Sequence, residues 1–73
     1  MSIPEMIPVS SSNIAAIGYD NSSQDVYVRF LNGSLYVYRG VPEFLFEEFK
    51  TAPSHGSFLH RNFKNVYPYE RLG

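Results

Sequence analysis

The chain contains no cysteine and no tryptophan. Without thiols there is no disulfide framework, no thiolate metal site and no cysteine nucleophile, so stability has to come from packing and a cytoplasmic setting is expected. Charge is also scarce: 18% of the residues are charged and the formal net charge is -1. No overall positive field draws in nucleic acid, and any such binding has to be local. The start is not basic, and no apolar run is long enough for a signal peptide or a bilayer span, which argues against export and a membrane role. No Gly-rich phosphate loop precedes a helix, and no nucleophile elbow or lysine-partnered serine stands out. The two histidines, His55 and His60, lack carboxylate or thiolate companions at ligand spacing. An enzyme is therefore not expected, nor a metal or cofactor.

What is present is a short, aromatic chain. Its 73 residues allow one domain, and 44% hydrophobic content is too high for a disordered segment. Phe and Tyr make up the whole 16% aromatic share, so large rings have to supply much of a small core. The charges are uneven. Glu43, Glu47 and Glu48 cluster together, whereas Arg61, Lys64 and Arg71 make the last stretch the basic end.

Residues 1–12, with Pro4, Pro8 and Ser10-Ser11-Ser12, are expected to form a loosely ordered lead-in. Ile14 to Tyr19 reads as a strand ended by Asp20-Asn21-Ser22-Ser23. Val26, Val28 and Phe30 alternate with Tyr27 and Arg29, the period of a half-buried strand. Asn32-Gly33 turns the chain into a third strand at Leu35 to Arg39. Pro42 is suited to open a helix whose stripe of Val41, Leu45, Phe49 and Ala52, with Phe44 beside it, faces the sheet, while Phe46 is expected at an edge or partly exposed. Pro53 ends that helix and Ser54 can cap a second through Phe58, Leu59 and Phe63 to about Val66, although Gly56 could delay its start to Ser57. Tyr67-Pro68-Tyr69 is extended and could form an edge strand. The fold class is α+β: a small antiparallel sheet of three to four strands with two helices packed on one face.

Along most of this length the chain resembles the KTSC domain family, named for the C-terminal segment of some lysyl-tRNA synthetases. The resemblance runs from about Val9 to Leu72 and is carried by Ile17-Gly18-Tyr19-Asp20, Val28-Arg29-Phe30, Tyr36-Val37-Tyr38, Val41-Pro42, Ala52-Pro53-Ser54-His55-Gly56-Ser57 and Tyr67-Pro68-Tyr69. It implies a single KTSC-like domain over residues 1–73. It supplies no catalytic residues, and the RNA binding it suggests leans on attachment to a synthetase. A lysine or arginine often stands in the family where this chain has His55, so a cationic site there is weaker at neutral pH.

The register of the hairpin decides what the tyrosines do. A two-residue turn at Asn32-Gly33 places Phe30 across from Leu35 and gathers Tyr27, Arg29, Tyr36 and Tyr38 on one face, a platform on which unpaired bases can stack. A three-residue turn, Leu31-Asn32-Gly33 with Gly33 as the bulge, sets Val28 opposite Tyr36 and Val26 opposite Tyr38, which sends the tyrosines into the core. The family pattern of tyrosines with polar residues between them favours the second, and Leu35 and Val37 keep the first open. Two functions follow. One is a small non-catalytic module binding RNA or another nucleic acid, with Arg29, Tyr36, Tyr38, Ser54, His55, Ser57, Arg61 and Lys64 as candidate contacts. The other is a protein-interaction or structural module that meets another protein or a second copy through an open sheet edge or the surface around Phe46.

Overall fold

The computed structural model describes residues 3–73. Five antiparallel strands lie side by side in chain order: β1 (Ile7–Pro8), β2 (Ile14–Asp20), β3 (Asp25–Phe30), β4 (Leu35–Arg39) and β5 (Tyr69–Arg71). Helices α1 (Glu43–Lys50) and α2 (His55–Asn62) come between β4 and β5 and cover one face of the sheet. The α+β architecture is the expected one, and the sheet has five strands where three to four were expected. The additional strand is β1, two residues taken from the N-terminal lead-in and paired at Ile7 with Ile17 and at Pro8 with Ala16.

The hairpin turns through three residues. Gly33 donates its N–H to the Phe30 carbonyl at 2.9 Å, and Phe30 donates to the Ser34 carbonyl at 2.9 Å. Gly33 itself sits at φ +95, a conformation that L side chains resist. This is a type I turn followed by a bulge. It sets Val28 opposite Tyr36 and Val26 opposite Tyr38. Arg29 faces Leu35 and Tyr27 faces Val37 on the other side of the sheet, so the platform of the two-residue turn does not form.

On the helix face the fully buried side chains are Ile14, Ile17, Val26, Val28, Val41, Phe49 and Phe63. The rings interlock: Phe49 meets Phe63 edge-on at 5.0 Å and Phe58 in a stack at 5.4 Å, while Tyr38 stacks on Phe63 at 5.7 Å. Phe46 is buried and stacks on Tyr19 at 5.0 Å, whereas Phe44 is 66% exposed. This reverses the expectation for the two residues. Pro42 is the N-cap, extended at ψ 150, so Val41 lies before the helix and does not share its periodicity. The helix buries Phe46 and Phe49, with Leu45 half-buried beside them, and Phe44 falls outside this stripe.

α2 starts at His55, one turn-position after the Ser54 cap, whose hydroxyl accepts the Ser57 N–H at 3.3 Å. Gly56 lies inside the first turn and does not delay it. A Cβ there would stand 2.8 Å from Asn13 Oδ1, so the glycine lets the loop before β2 approach the helix.

The opposite face carries a smaller cluster of Tyr27, Leu35 and Val37, partly covered by Met6. Gly18 makes that cover feasible, because a Cβ would lie 2.8 Å from Met6 Sδ and 2.9 Å from the Glu5 carbonyl. Arg39 spans three strands here, reaching Asp25 at 3.1 Å and Glu70 at 2.9 Å.

The packing separates positions that look alike in sequence. Phe63→Ala is expected to cost about 3–5 kcal/mol through lost burial and a cavity, and Phe44→Ala to stay within about 0.5 kcal/mol. Gly33→Ala is expected to cost about 1–2 kcal/mol from backbone strain alone, since no atom stands within 4 Å of the added Cβ. Urea denaturation of the three variants measures all three values, and a large loss at Phe44 would contradict the packing described.

Candidate nucleic-acid interface

Tyr36 and Tyr38 point to the helix face, yet the helices do not cover that face to its end. α1 packs on β2, and part of the sheet is left as the floor of an open groove of about 490 Å³. Phe30, Tyr36, Tyr38 and Tyr69 line it from the sheet, and Leu59, His60 and Lys64 from α2 and the turn after it. Phe30 meets Tyr36 edge-on at 5.5 Å, and Tyr69 lies 5.8 Å from both Tyr36 and Tyr38. Tyr38 is buried and serves as foundation, Tyr36 is half-buried, and Tyr69 is 61% exposed at the rim. The ring most open to a ligand is thus Tyr69.

A second groove adjoins the first through Asn13, Gly56 and His60, and brings in Ser54, Ser57 and Arg61. Arg61 and Lys64 are both exposed and form none of the salt bridges seen among the described residues. Two cations therefore flank a continuous polar and aromatic channel along α2. Ser54 is occupied as a cap. His55 turns away from the channel: its Nε2 lies 3.3 Å from the Lys50 carbonyl, its ring stands edge-on to Phe49 at 5.9 Å, and its Nδ1 is buried without a partner. Its role is to join the two helices. Arg29 is on the other face of the sheet, where it donates to the Gly33 carbonyl at 3.0 Å and steadies the turn.

Of the candidate contacts, Tyr36, Tyr38, Ser54, Ser57, Arg61 and Lys64 therefore share one channel, and Arg29 and His55 do not belong to it. Tyr69, Asn13, Asn32 and Asn65 line the groove without having been singled out as contacts. The extended Tyr67-Pro68-Tyr69 segment hinted at Tyr69. Asn32 read only as a turn residue, and the convergence of the asparagines depends on pairings distant in sequence, such as the Leu31 N–H donating to the Asn13 carbonyl at 2.9 Å. Among the described residues no three potential ligands stand together to hold a metal, and no helix is long and apolar enough to cross a membrane.

The Tyr38 hydroxyl is held above the ordinary phenol range, first by burial and then by the neighbouring Tyr36 and Tyr69 hydroxyls. Tyr19 is raised too, first by burial and then by Glu43 and Asp25, and it donates to the Val41 carbonyl at 2.6 Å.

The KTSC domain family model matches residues 10–67. A lysine–tRNA ligase of Nostoc sp. is 34% identical over 67 residues, an alignment that takes in 92% of this chain and only 12% of the ligase. A protein of Tsukamurella paurometabola is 42% identical over 55 residues, 75% of this chain and 82% of its own length. Among solved structures, a KTSC domain protein from Yersinia pestis superimposes with a TM-score of 0.88 at 36% identity, covering 94% of this chain and 97% of that one.

The raised phenols set an alkaline limit. In the unfolded chain these tyrosines ionise near the usual value of about 10, before they do in the folded one, so the folded state holds more protons above that pH. Stability is complete below about pH 10 and falls as pH rises through the folded values. Tyr38→Phe is expected to flatten this alkaline loss and to leave the part due to Tyr19. Urea midpoints measured across the alkaline range check it, and an unchanged slope in the variant would contradict the assignment.

Proposed function

The chain belongs to the KTSC domain family, and from that premise we propose that it is a small non-catalytic module that binds single-stranded RNA along the α2 channel. The observation that carries this reading is the exposed Tyr69 ring beside Tyr36, with Lys64 on the facing wall and Arg61 further along. Unpaired bases stack on such rings in any sequence, each stack being worth roughly 1–3 kcal/mol, while cations follow the backbone. A groove of about 490 Å³ suits splayed-out bases. Reading a duplex needs a protruding helix or ribbon that enters a groove, and this surface is concave. The net charge of -1 explains why the cations have to be local.

Two further facts support the reading. A segment like this chain forms part of a ligase that acts on tRNA. The Ser57 end of the channel lies at the N-terminus of α2, where the helix dipole favours negative charge. A cytoplasmic setting, in which RNA is at hand, fits the cysteine-free composition.

Titration of a labelled single-stranded RNA against rising salt tests the proposal. Arg61→Ala and Lys64→Ala are each expected to weaken binding and to reduce the slope of log affinity against log salt by about 0.7, one phosphate contact on a single strand. Tyr69→Ala is expected to weaken binding with little change in that slope. Absent binding, or binding that salt does not affect, overturns the proposal.

A further inference from the structure

The α2 side of the channel carries Arg61 and Lys64, and the sheet side carries a third cation. Arg71 is directly opposite Tyr36 in the pairing of β4 with β5, and Tyr69 is opposite Tyr38. Directly opposed residues of an antiparallel pair share a face, as do residues two apart along one strand. Arg71 therefore stands on the same face as Tyr36 and Tyr69. It is exposed at the open edge of the sheet, next to the groove rather than within its lining. The alternation sends its neighbour Glu70 to the other face, where Arg39 holds it at 2.9 Å. Arg71 takes part in none of the salt bridges seen among the described residues. Its side chain makes one hydrogen bond among them, from Nε to the Gly73 backbone oxygen at 3.0 Å. A guanidinium has five N–H donors, so both terminal NH2 groups remain free, and the Nε bond sets the plane in which they point. Nor does Arg71 lie over the Tyr36 ring, since Lys50 over Phe46 is the one such contact among the described residues.

We propose that Arg71 is a third phosphate contact, so that a bound single strand crosses the rings of Tyr69 and Tyr36 with its backbone held from α2 on one side and from the sheet edge on the other; this rests on the RNA-binding reading above. Two NH2 groups in one plane match two phosphate oxygens, the bidentate geometry that a lysine ammonium cannot offer. The Gly73 contact is exposed, and exposed contacts of this kind hold a side chain weakly, so the fork is free to meet a ligand. Stacking places bases and does not set the course of the backbone. Cations on the α2 side alone would let the strand run along the helix without passing over Tyr36. A cation beyond Tyr36 draws it across the sheet.

Arg71→Ala and Arg71→Lys are titrated with a labelled oligo(U) over a range of salt concentrations beside the intact chain. Arg71→Ala is expected to bind about fivefold more weakly, the strong end for an exposed ion pair, and to lower the slope of log affinity against log salt by about 0.7. Arg71→Lys keeps the charge and loses the fork. Its slope is expected to match that of the intact chain, with an affinity between those of the other two. A charge that merely guards the sheet edge against strand pairing would leave the slope where it is. An unchanged slope in Arg71→Ala therefore overturns the phosphate contact and leaves RNA binding standing. Binding by Arg71→Lys as tight as that of the intact chain overturns the bidentate geometry. Should a lowered urea midpoint show that Arg71→Ala loosens β5, Arg71→Gln, which keeps a donor for the Gly73 oxygen without the charge, carries the same expectation for the slope. No binding of the oligomer by the intact chain overturns both readings.

Discussion

Gly33 holds a backbone conformation that other residues resist, and the rest of the molecule depends on the register it imposes. With the bulge in place, Val26, Val28, Tyr36 and Tyr38 share a face, and that face is the one the helices cover. A slip of one residue would send the tyrosines to the other side, beside Arg29, and bring Leu35 and Val37 beneath the helices. Phe63 would then lose the Tyr38 ring on which it stacks. The turn hydrogen bonds at Phe30, Gly33 and Ser34 therefore act on the whole core, with the Arg29 guanidinium on the Gly33 carbonyl and the Asn32 side chain on Ser34 as local supports.

The same register gives the tyrosines two duties along one strand. Tyr38 lies under the helices and stacks on Phe63; Tyr36, two residues nearer the turn, is past the edge of that cover. Tyr69 on the neighbouring strand continues the surface. Core and candidate interface are in this way one aromatic array, shielded at one end and open at the other.

Much of the fold was legible because its signals are local. Val26-Val28-Phe30 shows strand alternation, Asn32-Gly33 marks the turn, and Pro53-Ser54 separates two helices, each through the conformational limits of a few neighbouring residues. Phe44 and Phe46 were misplaced for an equally local reason: Val41 was counted into the helical stripe although Pro42 holds it outside, which rotated the inferred face. β1 and the Met6 cover were not legible, since two residues against a sheet edge carry no periodicity. The candidate site was legible in its cations and tyrosines. Its asparagines were not, because Asn13 reaches the groove beside the hairpin only through a pairing distant in sequence, the Leu31 N–H to Asn13 carbonyl bond, and Arg29 looked like a contact until the register placed it behind the sheet.

The sheet order has a consequence for how the molecule comes into being. Every strand from β2 to β4 pairs with the strand before it in the chain, so these contacts close short loops at small entropic cost. β5 also pairs with the strand before it, β4, but only after a connection that contains both helices. During synthesis the meander is available for pairing before the strand that carries Tyr69 has left the ribosome. The core therefore precedes the groove, and a chain caught before the last strand docks would have its buried rings in place while lacking one wall of the surface on which it is proposed to act.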